Sequence, residues 1–262
     1  MKLRRYFSMT RAGMLEQLQF RLGSVTTIAG NLIYLVLIYF LWKSIFASAG
    51  TDVVSGMTFS DTLIYLVLAS ALFSFMEMYL VWYMGRDIQS GKIVLDLIKP
   101  IHYRSFLFWT QSGFLVMSFV MTFLPTFLVV YFLTDGTIHL GVNLLFFLAL
   151  TINFCIDFFI GTVCLYTQSI WGINIMKEVI VLLLSGATIP LAFFPDTLRR
   201  IVSYLPFQSI YNTPLTILIR DSMPLTETLT MLGIQLFWAL VMFLVSDLFW
   251  RRSMRVITVN GG

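Results

Sequence analysis

The sequence has 262 residues, 58% hydrophobic and 11% charged, with a formal net charge of +4. Soluble domains carry about 25% charged residues, so this chain has too few charges to cover a water-facing surface, and a free-standing soluble domain is excluded. What remains is an all-α polytopic membrane protein, one domain over 1–262, divided into spans of about 20 residues each.

Residues 1–22 form a basic lead-in in which Met14, Leu15, Leu18 and Leu22 recur at helical spacing, with Arg11, Glu16 and Arg21 elsewhere. That pattern predicts a helix lying in the membrane surface, its cations toward anionic headgroups. The apolar run that follows is too long for the roughly 7–15-residue core of a cleavable signal, and it reads as a retained first span. Six apolar stretches are expected within 24–250: Ser24–Ala47, Phe59–Met84, Phe106–Leu133, Leu140–Tyr166, a short one at Val179–Phe194, and Leu229–Trp250. A tail, 251–262, follows.

Six spans put 13 basic residues on one side: Lys2, Arg4, Arg5, Arg11, Arg21, Arg86, Lys92, Lys99, Arg104, Lys177, Arg251, Arg252 and Arg255. The other side keeps 4: Lys43, Arg199, Arg200 and Arg220. By the positive-inside rule both termini are cytoplasmic. The sequence pI of about 9.1 therefore calls for no nucleic acid, because the cations gather along a membrane face.

Two connections stand out. In Gly85–Ser105, Ile93, Val94, Leu97, Ile98 and Ile101 fall on one helical face, Asp87, Gln89, Lys92, Asp96 and Lys99 complement them, and Pro100 ends the helix. Such an amphipathic helix either docks a soluble partner or lies on the membrane. The segment Gly186–Pro224 holds five of the seven prolines yet is rich in Leu, Ile, Phe and Tyr. It is read as short helices re-entering the outer leaflet, where broken backbone must be buried by protein or water; the alternative is an ordinary outer loop.

No phosphate-loop motif is present, so the chain has no such cradle for ATP. His102 and His139 fall on opposite sides of the predicted topology, which leaves no histidine metal site or catalytic triad, and no catalytic residue is expected. Cys155 and Cys164 lie about 13 Å apart along one helix, too far for a disulfide. Three acids fall inside predicted spans, where a charge needs a partner or a wet cavity. Asp247 has Arg251 one turn on. Asp157, one turn after Asn153, either bonds between helices or lines a substrate path. Glu77 either approaches the cytoplasmic interface or faces a cavity. The aromatic load suits lipid contact or a cavity for a bulky amphiphile.

The stretch Ser185, Gly186, Pro190, Phe194, Pro195, Leu205, Pro206, Phe207, Tyr211 and Pro214 resembles the closing part of an ABC-2-type transporter permease. The run Arg86, Asp87, Ile88, Gly91, Leu97, Lys99 and Pro100, and the ending Val259, Asn260, Gly261 and Gly262 after Arg251 and Arg252, are similar to the viologen-exporter-like branch of uncharacterised permeases. The resemblance implies a type V, ABCG-like domain: an N-terminal connecting helix, six spans and outer re-entrant helices before the last. It also implies an exporter in a bacterial cytoplasmic membrane, handling a hydrophobic or amphiphilic substrate such as a drug, lipid, glycolipid or peptide. A second permease, the same chain or a different one, would complete it. ATP and Mg would be held by a partner dimer of ATPase subunits, touched through Arg86, Asp87, Gly91, Ile93, Asp96, Leu97, Lys99 and Pro100. A second contact is expected at the turn Ile170–Glu178, with Trp171, Asn174 and Lys177. The rival reading is a secondary transporter or channel using its own intramembrane acids.

Overall fold

A computed structural model describes residues 2–19, 21–134, 143–167, 169–219 and 223–256. His139, the predicted span start at Leu140, Arg220 and the closing Val259 to Gly262 lie outside the described residues. The elements are α1 (Lys2–Gln19), α2 (Arg21–Ala49), a hairpin of β1 (Val53–Val54) and β2 (Met57–Thr58), α3 (Phe59–Met76), α4 (Leu80–Gln89), α5 (Ile93–Leu97) and α6 (Tyr103–Ser118). There follow α7 (Leu124–Leu133), α8 (Asn143–Val163), α9 (Ile170–Leu184), α10 (Asp196–Val202), α11 (Asn212–Ile219) and α12 (Leu225–Ser253).

Among the described residues five helical stretches are long and apolar enough to cross a bilayer: Ala29–Ala49, Phe59–Gln89, Tyr103–Leu133, Leu145–Val163 and Leu225–Ser253. The predicted fifth span at Val179–Phe194 is corrected. Its helix, α9, starts at Ile170 and stops at Leu184. It stops there because Gly186 turns the chain at φ +83° and Pro190 cannot continue a helix. At 1.5 Å per residue α9 covers only about 22 Å. Ile170–Glu178, expected as a separate turn, is the first half of this same helix.

Local chemistry accounts for the other ends. Thr58 caps α3 in a reciprocal box: its hydroxyl accepts from the Asp61 N–H at 3.1 Å, and Asp61 Oδ2 accepts from the Thr58 N–H at 3.1 Å. The second span breaks at Glu77–Tyr79, where Glu77 leaves the helix at ψ 111°. The third span runs unbroken from α6 into α7 through a π-turn at Phe119–Phe123. That wider turn sits just before Pro125, which has no N–H to offer the Met121 carbonyl.

The core lies where α3, α4, α6, α8 and α11 meet, with Leu68, Leu72, Met76, Leu80, Leu107, Ile152, Phe158 and Leu215 wholly or almost wholly buried. The surface of α12 is mostly open, with Leu236, Phe237, Leu240, Leu244 and Leu248 at least half exposed, as suits a lipid-facing helix. The predicted surface helix is α1, and it is anchored on α6. Gly13 and Gly113 bring the two backbones together: a Cβ on Gly13 would stand 2.5 Å from the Thr110 carbonyl oxygen. The Thr10 hydroxyl donates to the Trp109 carbonyl at 3.1 Å, and Tyr6 stacks on Trp109 at 5.2 Å.

Candidate functional site

Two groups of predicted residues come together, one at a buried polar cluster and one at an exposed end. The cluster forms at the break in the second span. Ending α3 at Met76 frees its last carbonyls, and Asn153 Nδ2 on α8 donates to the Met76 carbonyl at 3.0 Å. Asn153, expected on a substrate path, thus holds the broken helix end. Asp157, one turn further along α8, has a side chain only 1% exposed, and Lys177 Nζ of α9 meets its Oδ1 at 3.0 Å. Asn174 donates to Glu178 one turn on, along α9. A cavity of about 30 Å³ lies among Glu77, Asn153, Asp157, Lys177, Glu178 and Tyr211. It has room for one or two waters and for no organic substrate in this conformation.

This geometry corrects one expectation. Asn174 and Lys177 are not available to a soluble partner. Asn174 is 4% exposed and the Lys177 side chain 11%. The resemblance implied a partner-facing turn here, but their polarity is used inside the chain, where the Lys177 charge answers Asp157. Trp171 alone of that set is exposed, at 67%.

The Gly85–Ser105 segment is also rearranged. Gly91 adopts φ +72°, a left-handed turn that separates α4 from the five-residue α5. Ile93 is then buried in this chain and Val94, Leu97 and Ile101 half-buried, so the predicted stripe packs inward except at Ile98. What faces out is Leu95, at 59%, and Ile98, at 74%. Asp87 is buried with Lys92 4.0 Å away, and Asp96 is buried against Lys99 at 2.6 Å. Lys99 also lies 3.9 Å over the Phe106 ring. These charges fix the loop to its own scaffold, while Arg86 and Pro100 remain exposed. Ile170 packs on Gly85, where an added Cβ would meet it at 2.7 Å, and this places Trp171 at the same end of the molecule as α5.

The proline-rich segment is a packed unit. The Asn212 N–H donates to the Ser185 carbonyl at 3.1 Å, closing 186–211 into a loop. Pro190, Pro206, Tyr211 and Pro214 are buried, Phe207 is half-buried and Pro195 exposed. Gln235 of α12, wholly buried, donates to the carbonyls of Ser209 and Leu145, each at 2.9 Å. Sequence reading missed Gln235, and also Arg104, which is no loop residue: it donates to the Phe243 carbonyl at 3.1 Å and to Cys155 Sγ at 2.9 Å. A polar residue inside an apolar run is the one signal that marked Gln235 beforehand.

A packed proline-rich segment ahead of the last long helix is one part of what the resemblance above implied. The family model for the ABC-2 family transporter protein matches residues 32–261. The chain belongs to the ABC-2 transporter family. No curated relative matches it. As an ABC-2 protein it is an all-α, multi-pass membrane chain, and α1 lies ahead of the matched region.

Proposed function

We propose that the chain is the permease subunit of an ATP-driven exporter of hydrophobic or amphiphilic substrates, energised by a separate ATPase dimer and completed by a second permease. Family membership supports the ATPase partnership. One observation bears on that contact: Leu95 and Ile98 on the connection after α4, and Trp171 beside the Ile170 that packs on Gly85 of α4, are all more than half exposed. Leu95 and Ile98, with no lipid-length apolar run around them, fit a groove on a soluble protein, and Trp171 stands at the end of α9 that faces them. The exposed Arg86 fixes orientation more than it adds affinity. In this reading α9 and the proline-rich segment together make the sixth crossing, both termini are cytoplasmic, and ATP and Mg stay on the partner.

Leu95→Asp combined with Ile98→Asp tests this. Both side chains point away from the core, so the spans should insert and the chain should purify normally. Recovery of the ATPase with the permease should fall about tenfold or more, the loss of one or two hot-spot residues. Full copurification with normal transport would exclude α5 as the contact. Ile93→Asp is the wrong probe, because it would unfold the loop from within.

A further inference from the structure

A second cavity, of about 460 Å³, opens between α1 and the segment leading into α6, lined by Arg5, Tyr6, Lys99, Pro100, Ile101 and His102. That volume is in the range of small-ligand sites, roughly 300–1,000 Å³. Three nitrogen donors from two separate elements converge on it. Arg5 and His102 make no ion pair or side-chain hydrogen bond among the described residues, while Lys99 is shared with Asp96 at 2.6 Å. His102 is also the N-cap of the 16-residue α6, and no side chain caps that end. The first-turn N–H groups, with their partial positive charge, are therefore left beside the same cavity.

Its height relative to the bilayer follows from one contact. Tyr103, the next residue, stacks on Trp250 at 4.8 Å, and Trp250 is the last apolar residue of α12 before Arg251 and Arg252. Arg251 and Arg252, both exposed at the end of α12, mark the membrane–water boundary there, since arginines at helix ends reach to the interface. The cavity thus sits at headgroup level, one step outside the hydrocarbon. We propose that it is a phosphate site for the headgroup of an anionic lipid, with Arg5 and His102 as the main donors and Lys99 and the α6 N-terminus behind them. Basic pockets at this level between helices are how membrane proteins hold such headgroups. A bound lipid would bridge α1 to the α6 entrance. The assignment does not depend on the ATPase contact.

The test is native mass spectrometry of the full chain, exchanged into neutral detergent and titrated with phosphatidylglycerol or with phosphatidylcholine of the same acyl chains. Phosphatidylglycerol should be retained preferentially. Arg5→Gln with His102→Gln should weaken that retention by roughly fivefold or more, the effect of removing one surface cation or a little beyond. Arg5→Lys, which keeps the charge, should retain most of it, and Arg5→Gln alone serves if the double variant fails to fold. No headgroup preference, or a preference unchanged by Arg5→Gln, overturns the proposal. Stabilisation by inorganic phosphate without any lipid preference, lost in the same variants, would make this a free-phosphate site and overturn the lipid assignment.

Discussion

Asp157 shows how much one residue depends on another a helix away. Its carboxylate is enclosed, and Lys177 reaches only one of its two oxygens; the other has no hydrogen-bond partner among the described residues. Removing the lysine leaves a buried charge uncompensated, so Lys177→Met should cost about 3–5 kcal/mol and lower the thermal midpoint in detergent markedly. The pair Lys177→Met with Asp157→Leu should recover most of that, since replacing both members of a buried pair is often neutral. Equal stability of the single and double variants would mean that the pair does not hold α8 to α9. Asp247 is the contrast. Arg251, its 2.8 Å partner, has a side chain 75% exposed, and exposed pairs of this kind contribute about 0–1 kcal/mol; the more buried Arg104 stands 4.0 Å away and keeps its own bonds to the Phe243 carbonyl and Cys155. Asp247→Ala should therefore shift the midpoint little in the same measurement.

At the scale of elements, the crossing of α1 on α6 depends on the absence of two side chains. Gly113→Leu would force α1 off, because a Cβ there would collide with the backbone of Thr10 and Met14. The expected outcome is faster tryptic cleavage at Arg11 in detergent, with the spans unchanged; cleavage at the parent rate would mean that α1 is held elsewhere. Such crossings were not legible in the sequence, since no spacing rule links Gly13 to a residue a hundred positions on. Apolar runs located α2, α6 to α8 and α12 to within a few residues, and the α3–α4 stretch without its break at Glu77–Tyr79, because lipid imposes length and composition on a span. They failed at α9 for the same reason: a helix that hides Asn174 and Lys177 against its neighbours violates the compositional rule while obeying the physical one. In α5 the heptad-like stripe was legible, but its direction was not. Gly91 bends the chain so that Ile93 turns inward and Leu95, off the stripe, turns out.

For the whole molecule, the charge asymmetry predicts cytoplasmic termini, which labelling can check. Cys155 and Cys164 are both buried, so the native background is quiet. Single cysteines at the exposed Ser55 and Thr197 should react with an impermeant thiol reagent in intact cells, and one at Arg252 only after permeabilisation. The reverse pattern would invert the topology. The break at Glu77–Tyr79 has a mechanical meaning in this frame. The lower half of the second span, α4, is cut free of α3 and lies against α8 and α9, with α5 hanging from it past Gly91. Under the ATPase contact proposed above, a stiff rod would pass any displacement of Leu95 and Ile98 along to the hairpin at Val53–Thr58. A jointed one would not. It would turn at the elbow and deliver the push sideways, into the wall where Asn153 grips the Met76 carbonyl and Lys177 faces Asp157.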